Sequence, residues 1–176
     1  MIELRDMLES DIEDYVRWWT VETEWGNWDA PWEPLEASTP EHERTRWTRY
    51  FNTIHAKPSN DMRWRFEIAQ DGRHIGWVSG YTDTDYYPNP EELPAIGITV
   101  VDPAGRSKGV GTEALRLFIE YMKSRGYPAV YTQTWSGNLP MLRVAEKLGF
   151  REVCRKTGIR EVRGQQYDAV TFRLDL

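Results

Sequence analysis

A buried strand followed by a glycine-bearing turn and a long helix constrains this sequence more than any other stretch. The apolar run from Ala95 to Val101 predicts a strand, and residues 102–105 are typical of a turn. Gly109 and Gly111 then fall in the first turn of a helix that continues to about residue 125. In such a turn, backbone N–H groups converge at the positive end of the helix dipole, and glycine lets an anion approach the backbone closely. The stretch therefore predicts a cradle for a phosphate group.

The surrounding pattern predicts an α/β fold built on a mixed sheet. A second strand over residues 129–134 follows the helix by a crossover, so it should run parallel to the first. The whole chain gives the order β-α-α-β-β-β-α-β-α-β-β, with about seven strands and helices on both faces of the sheet. Its 176 residues suit a single domain over residues 1–176.

Local signals mark several element ends. Asp71-Gly72 predicts a hairpin turn between strands over 64–70 and 74–81. Ser10 is expected to cap a first helix, and Thr39, followed by proline, is expected to cap a second. Residues 21–39 show no clear period, and a loop of that length inside a compact domain is often functional.

Charge and composition exclude several classes of partner. The formal net charge of −6 argues against nucleic acid, since phosphate backbones are bound by clustered Lys and Arg. No apolar run approaches the roughly 20 residues that cross a bilayer, and no signal-peptide pattern opens the chain, so we expect no membrane partner. Cys154 is the single cysteine, which favours a cytoplasmic protein. The three histidines are too scattered to predict a metal site, and a monomer or a homodimer is expected.

Two segments resemble one known family. They are Arg106-Ser-Lys-Gly-Val-Gly-Thr-Glu-Ala-Leu115 and Asn138-Leu-Pro-Met-Leu-Arg-Val-Ala-Glu-Lys-Leu-Gly-Phe150. Both are similar to the GNAT family of acyl-CoA-dependent N-acetyltransferases, and within it to the ribosomal-protein N-terminal acetyltransferases. The close match covers about residues 95–152, and the rest of the chain fits in order and length. The resemblance implies a GNAT-like fold with a partly splayed sheet.

The resemblance also implies acetyl-CoA as co-substrate, with its diphosphate on the turn and its pantetheine arm along the edge of the central strand. We expect a bulge in that strand and a gap beside it, where a backbone N–H near residues 98–100 holds the thioester oxygen. The implied cofactor-binding residues are Ile98, Thr99, Val100, Arg106, Ser107, Lys108, Gly109, Val110, Gly111, Thr112, Asn138 and Arg143.

Two of these residues have a second interpretation. Asn138 stands just before the helix over 139–148, where asparagine is a good N-cap, and in the family an asparagine here hydrogen-bonds the pantetheine arm. The two roles use different atoms and compete. Arg143 either lies near the CoA phosphates or is a solvated helix residue.

The acid–base residues depart from the family pattern. Where many relatives carry glutamate at the start of the central strand this chain has Ala95, and where they carry serine or tyrosine on the last helix it has Met141 and Ala145. An amine must still lose a proton before it attacks. Either a water relay or a carboxylate from another segment serves, and a solvated or ion-paired surface charge is the more ordinary role for each such carboxylate. The candidate bases are Glu67 and Asp83, followed by Asp85 and Glu24.

A tryptophan-rich segment predicts the acceptor site. Five of the nine tryptophans fall between Trp18 and Trp32, with acidic residues among them. Aromatic faces attract ammonium groups, by about 0.5–2 kcal/mol per contact. Trp19 is better explained as a core residue. The expected acceptor is a cationic amine: an amino sugar, a polyamine or a peptide N-terminus. The candidate substrate-binding residues are Trp25, Trp28, Tyr81 and Trp135.

The sequence thus predicts an enzyme that transfers acetyl from acetyl-CoA to a primary amine of a small molecule or peptide by direct attack in a ternary complex. Because the residues at the usual acid and base positions cannot transfer a proton, a non-catalytic acyl-CoA-binding sensor or interaction domain is the alternative. A Rossmann-type dinucleotide site fits poorly, because its glycine motif follows the first strand rather than one in mid-chain.

Overall fold

The computed structural model describes residues 1–84, 87–103, 106 and 109–176. The strands are β1 (Ile2–Arg5), β2 (Arg65–Gln70), β3 (Arg73–Tyr81), β4 (Ala95–Val100), β5 (Ala129–Trp135), β6 (Arg151–Val162) and β7 (Gln165–Asp175). The α-helices are α1 (Asp11–Thr20), α2 (Gly26–Asp29), α3 (Pro40–His55), α4 (Val110–Ser124) and α5 (Leu139–Lys147), with a 3₁₀ turn over Thr23–Trp25. Within these residues, none of the helices has the length and apolar character needed to cross a bilayer.

The seven strands form one sheet in the order β1-β2-β3-β4-β5-β7-β6. Neighbouring strands are antiparallel except β4 and β5, which are parallel, as the crossover through α4 requires. The predicted mixed α/β sheet with helices on both faces is confirmed.

The two faces of the sheet carry different cores. α4 and α5 pack on one face through mainly aliphatic residues such as Leu115, Ile119 and Val130. α1 and α3 cover the other face through an aromatic cluster that includes Tyr15, Trp47 and Trp77. The tryptophan-rich segment after α1 therefore lies on the second face, where α2 and the 3₁₀ turn give it local structure.

Most local signals act as predicted. Asp71 and Gly72 have φ of 50° and 81°, as a tight hairpin turn requires. Thr39 caps α3 by accepting the His42 N–H at 3.2 Å. The prediction for Ser10 is wrong, because its side chain makes no capping bond. Asp11 instead accepts the Leu8 N–H at 2.7 Å, and its carboxylate binds Arg5.

Candidate active site

A gap opens between the two parallel strands. β4 and β5 pair only at Ala95 and Tyr131, where the Tyr131 N–H donates to the Pro94 carbonyl at 2.8 Å. The Thr132 hydroxyl then donates to the Ile96 carbonyl at 2.8 Å, and no further ladder pair joins β4 to β5 beyond that point. Because backbone groups alternate in direction along a strand, the N–H groups of Ile98 and Val100 lie on the gap side. The Thr99 amide faces β3.

No bulge lies within β4 itself, where one was expected; directly after it, the N–H groups of Val101 and Asp102 both donate to the Ile75 carbonyl, at 2.9 and 3.4 Å. Six consecutive residue pairs join β3 to β4, from Gly76–Val100 to Tyr81–Ala95, without a shift in register. The gap therefore arises on the other side of the strand, where β5 diverges and leaves the β3–β4 ladder regular.

The start of α4 has the form of the predicted phosphate cradle. Gly109 caps the helix with φ of 80°, a left-handed conformation that favours glycine. The first helical hydrogen bond runs from the Glu113 N–H to the Gly109 carbonyl at 2.9 Å. The N–H groups of Val110, Gly111 and Thr112 precede that bond and have no acceptor within the helix. The predicted residues Ser107 and Lys108 lie outside the described residues.

Arg106 fastens the end of β4 to the tryptophan-rich segment. Its guanidinium donates to the carbonyls of Val100 and Val101, at 3.0 Å each, and to Glu24 at 2.6 Å. Partial burial raises the pKa of Glu24, but hydrogen bonds from Arg106 and Trp28 outweigh that effect and lower it below its ordinary value. Sequence spacing gave no sign of this link, which joins residues 82 positions apart.

Asn138 fastens the same segment at the other side of the gap. Its Oδ1 accepts the Met141 N–H at 3.2 Å, so the predicted N-cap role is confirmed. Its Nδ2 donates to the Trp28 carbonyl at 2.9 Å, and the Trp135 indole N–H donates to the same carbonyl at 3.0 Å. Arg143 is exposed on α5.

A cavity of about 390 Å³ adjoins the gap on the aromatic face of the sheet. It begins where Gln133 and Thr134 follow the last β4–β5 pair along β5. Its walls come from the tryptophan-rich segment, the end of β3 and the strands β5, β6 and β7. The lining residues are Asp29, Ala30, Trp32, Tyr81, Asp83, Gln133, Thr134, Arg160, Ala169, Val170 and Thr171.

Two carboxylates, Asp29 and Asp83, line this cavity. Asp29 is exposed, yet the protein around its carboxyl removes enough water to raise its pKa, and the negative charge of Glu33 raises it further. Asp83 was a predicted base, whereas Asp29 was counted only among the acidic residues of its segment. The position of Asp29 between Trp28 and Trp32 was the sequence feature that could have indicated it as a site residue.

The four predicted acceptor residues do not lie together: Tyr81 is at the cavity and Trp25 is in the core. Tyr81 lines the cavity and is 38% exposed. Trp28 is 39% exposed and donates its indole N–H to Glu24 at 3.2 Å, and Trp135 is buried beside Trp32. Trp25 instead belongs to the aromatic core, where its indole N–H donates to the Trp18 carbonyl at 3.0 Å.

Comparison with known proteins assigns the family. Residues 2–151 match the family model described as the acetyltransferase (GNAT) domain. The chain belongs to the GNAT acetyltransferase family. Among related sequences, mycothiol acetyltransferase of Thermomonospora curvata is 32% identical over 95 residues, which is 54% of this chain and 30% of that protein. Across three related proteins, the matched part spans between 30% and 62% of their length.

Solved structures share the fold of this GNAT protein over nearly its whole length. Ribosomal-protein-S5-alanine acetyltransferase from Vibrio fischeri has a TM-score of 0.73 at 19% identity, covering 99% of this chain and 92% of that one. RimJ of Mycobacterium smegmatis, solved in complex with CoA-disulfide, has a TM-score of 0.73 at 20% identity, covering 99% of this chain and 81% of that one. The expected family is confirmed by the family model, and these neighbours show the expected fold.

Glu67, the other predicted base of this GNAT protein, lies in a buried network away from the cavity. It is 1% exposed and accepts hydrogen bonds from the Tyr15 hydroxyl and, at 3.0 Å, from His74 Nε2. The Arg65 Nε lies 3.5 Å from it. On its other side, His74 faces Asp11 and Asp14, whose oxygens with His74 Nδ1 form a cluster that sequence spacing did not reveal. Asp11 also pairs with Arg5, and Asp14 pairs with Arg17. The cluster is therefore part of an ion-pair network.

This network predicts a loss of stability as the pH rises. Burial lowers the pKa of His74, but hydrogen bonds to Asp14 and Glu67 and the charges of Glu67 and Asp11 outweigh it, so the folded-state pKa lies above its ordinary value. The protonated imidazole therefore stabilises the fold fully below about pH 6.5, the unfolded value, and this contribution is lost as the pH rises through the folded pKa.

Urea unfolding between pH 6 and 9 measures the effect. The free energy of unfolding should fall with rising pH by at most about 1.4 kcal/mol per pH unit, the limit for one proton. His74→Gln should flatten that slope, whereas the same change at exposed His42 should keep it. An equal slope in wild type and His74→Gln would contradict the assignment.

Proposed function

We propose that this protein transfers an acetyl group from acetyl-CoA to the primary amine of a small cationic molecule or a peptide N-terminus. One observation carries the proposal: β4 and β5 pair only at Ala95 and Tyr131, α4 begins with N–H groups that have no acceptor within the helix, and β5 lines an acidic and aromatic cavity just beyond that pair. A donor lying along the gap would bring its thioester to the mouth of the cavity, where an amine can attack it directly in a ternary complex.

The donor side rests on backbone groups. The N–H groups of Val110, Gly111 and Thr112 and the helix dipole suit a diphosphate, and a side chain at Gly109 would enter the open space beside them. The gap-facing amide of Ile98 suits either the pantetheine arm or the thioester oxygen, where negative charge develops during attack. Asn138 reaches the donor only if its bonds to Met141 and Trp28 rearrange, because both of its polar atoms are already used.

The acceptor side rests on the cavity. Asp29 and Asp83 attract an ammonium group, and Trp32 and Tyr81 place aromatic rings in the cavity wall. One face of Trp32 is already covered by the Arg160 guanidinium, 4.1 Å from the ring centre. An amine must be neutral to attack, so a carboxylate with a raised pKa is better suited to take its proton than one with an ordinary pKa. Asp29 meets this requirement and is our preferred base, with Asp83 as the second carboxylate in reach of the same space.

The alternative is a non-catalytic CoA-binding domain. It is supported by the residues at the family's usual acid–base positions, which cannot transfer a proton in this chain. Ala95 and Ala145 are fully buried, and Met141 is 9% exposed, so none of the three supplies a proton or accepts one. A thiolate of CoA is a tolerable leaving group, and the lack of an acid therefore slows the reaction rather than preventing it.

Two measurements separate these functions. Calorimetry with CoA tests the shared donor site, and release of free thiol from acetyl-CoA is followed with an amino sugar, a polyamine and a short peptide. We expect CoA to bind and at least one amine to accelerate thiol release. Binding without turnover on every amine would favour the sensor, and the lack of CoA binding would reject both functions.

A further inference from the structure

A second pocket, of about 410 Å³, lies beside α3 where that helix packs on the start of β2, away from the gap and the cavity. Its lining residues are Arg46, Trp47, Arg49, Tyr50, Thr53 and Arg65. Three of them are arginines and two others carry hydroxyl groups, and none of these described lining residues carries a carboxylate. Such a pocket offers many hydrogen-bond donors in a protein whose overall charge is −6.

Arg65 is held rigidly at the base of this pocket. Its guanidinium carbon lies 4.5 Å from the Trp77 ring centre and 5.1 Å from that of Trp47. Its Nη2 donates to the Tyr15 hydroxyl, and its Nε lies 3.5 Å from a Glu67 oxygen. Among the described residues, Nη1 has no hydrogen-bond partner. A fixed guanidinium with a spare edge is pre-organised to bind an oxyanion.

The rim of the pocket supplies further donors. Arg49 is exposed, and its guanidinium forms no ion pair with the part of the chain that the structure describes. Arg46 is held 5.0 Å above the Trp47 ring and 3.5 Å from Glu43. Burial raises the pKa of Tyr50 to about 12, so its hydroxyl stays protonated and able to donate at neutral pH.

We propose that this pocket binds the phosphate group of a small molecule, at a site separate from the one for CoA. Three guanidinium groups and two hydroxyls match the several oxygens and double negative charge of a phosphate. The proposal uses no residue of the gap or of the cavity, so it stands or falls independently of the acetyl-transfer proposal.

Inorganic phosphate is the probe, and the fluorescence of tryptophans such as Trp47, which lines the pocket, is the readout. The titration is made in the wild type and in Gly109→Val, whose side chain enters the space at the start of α4, with chloride at matched ionic strength as the reference. We expect a saturable change with phosphate that chloride does not give. Arg49→Gln should weaken phosphate binding roughly tenfold, the size expected for a lost charge-assisted hydrogen bond.

The control is Arg151→Gln, which removes an exposed arginine on β6 and should leave phosphate binding unchanged. Because Arg49 is exposed, its substitution should not disturb folding, and the melting temperature of both variants checks this. A phosphate response equal to that of chloride would overturn the proposal. Equal phosphate affinities of the two variants would overturn it as well, since the anion would then bind elsewhere.

Discussion

Replacing Gly109 by valine is expected to weaken the binding of CoA at least a hundredfold. The residue has φ of 80°, and a Cβ there would enter open space next to the N–H groups at the start of α4 that have no acceptor within the helix. In our proposal the diphosphate lies in that space, so the side chain would exclude the anion from the backbone. Losing two charge-assisted hydrogen bonds at about 1.5–3 kcal/mol each accounts for a loss of this size or larger. Calorimetry with CoA measures it.

Gly126→Val is the matched control for backbone strain. Gly126 follows the other end of α4, has φ of 89° and also has open space where a Cβ would lie. Both variants therefore force valine into a left-handed conformation at a cost of about 1–2 kcal/mol in folding stability. Gly126→Val should bind CoA like the wild type. If Gly109→Val is folded and binds CoA equally well, the diphosphate does not lie on this turn.

The features that the sequence predicted correctly are mostly set by local geometry. The Asp71-Gly72 turn needs two residues that tolerate positive φ, and Asn138 caps α5 with a bond to a residue three positions on. The parallel pairing of β4 and β5 follows from the crossover through α4. Each of these depends on residues close in the chain, or on a chirality rule that holds for nearly every fold.

The features that sequence reasoning missed depend on contacts between distant residues. The cavity is lined by residues from the tryptophan-rich segment, the end of β3 and three further strands, and no spacing in the sequence encodes their meeting. Trp25 and Trp28 are three residues apart in similar surroundings, yet one is 3% exposed and the other 39%. The difference arises because Trp25 packs on Trp77 of β3 and Trp19 of α1. Ser10 failed as a cap because its own backbone is already helical, with φ of −61° and ψ of −25°, whereas a capping residue needs an extended conformation.

Asp29→Asn is expected to lower kcat by about 10²- to 10⁴-fold, the usual contribution of a positioned general base. Because cavity walls and the Glu33 charge raise the pKa of Asp29, wild-type activity should decline with falling pH through a value above the ordinary aspartate pKa of about 3.9. The asparagine variant should lack that acid limb. Steady-state rates of thiol release across pH measure both effects, and an unchanged kcat would reject Asp29 as the base.

Glu33→Gln separates a base from a residue that merely binds the amine. Glu33 raises the Asp29 pKa by its charge alone, so neutralising it should move the acid limb of kcat to lower pH without removing it. Asp83→Asn, in the same cavity, should raise the acceptor KM and keep the acid limb, because a neutral amide attracts the ammonium group less strongly. If instead the acid limb disappears in Asp83→Asn and persists in Asp29→Asn, the proton goes to Asp83. Loss of the limb only in a folded Glu67→Gln variant would transfer the role to the buried network.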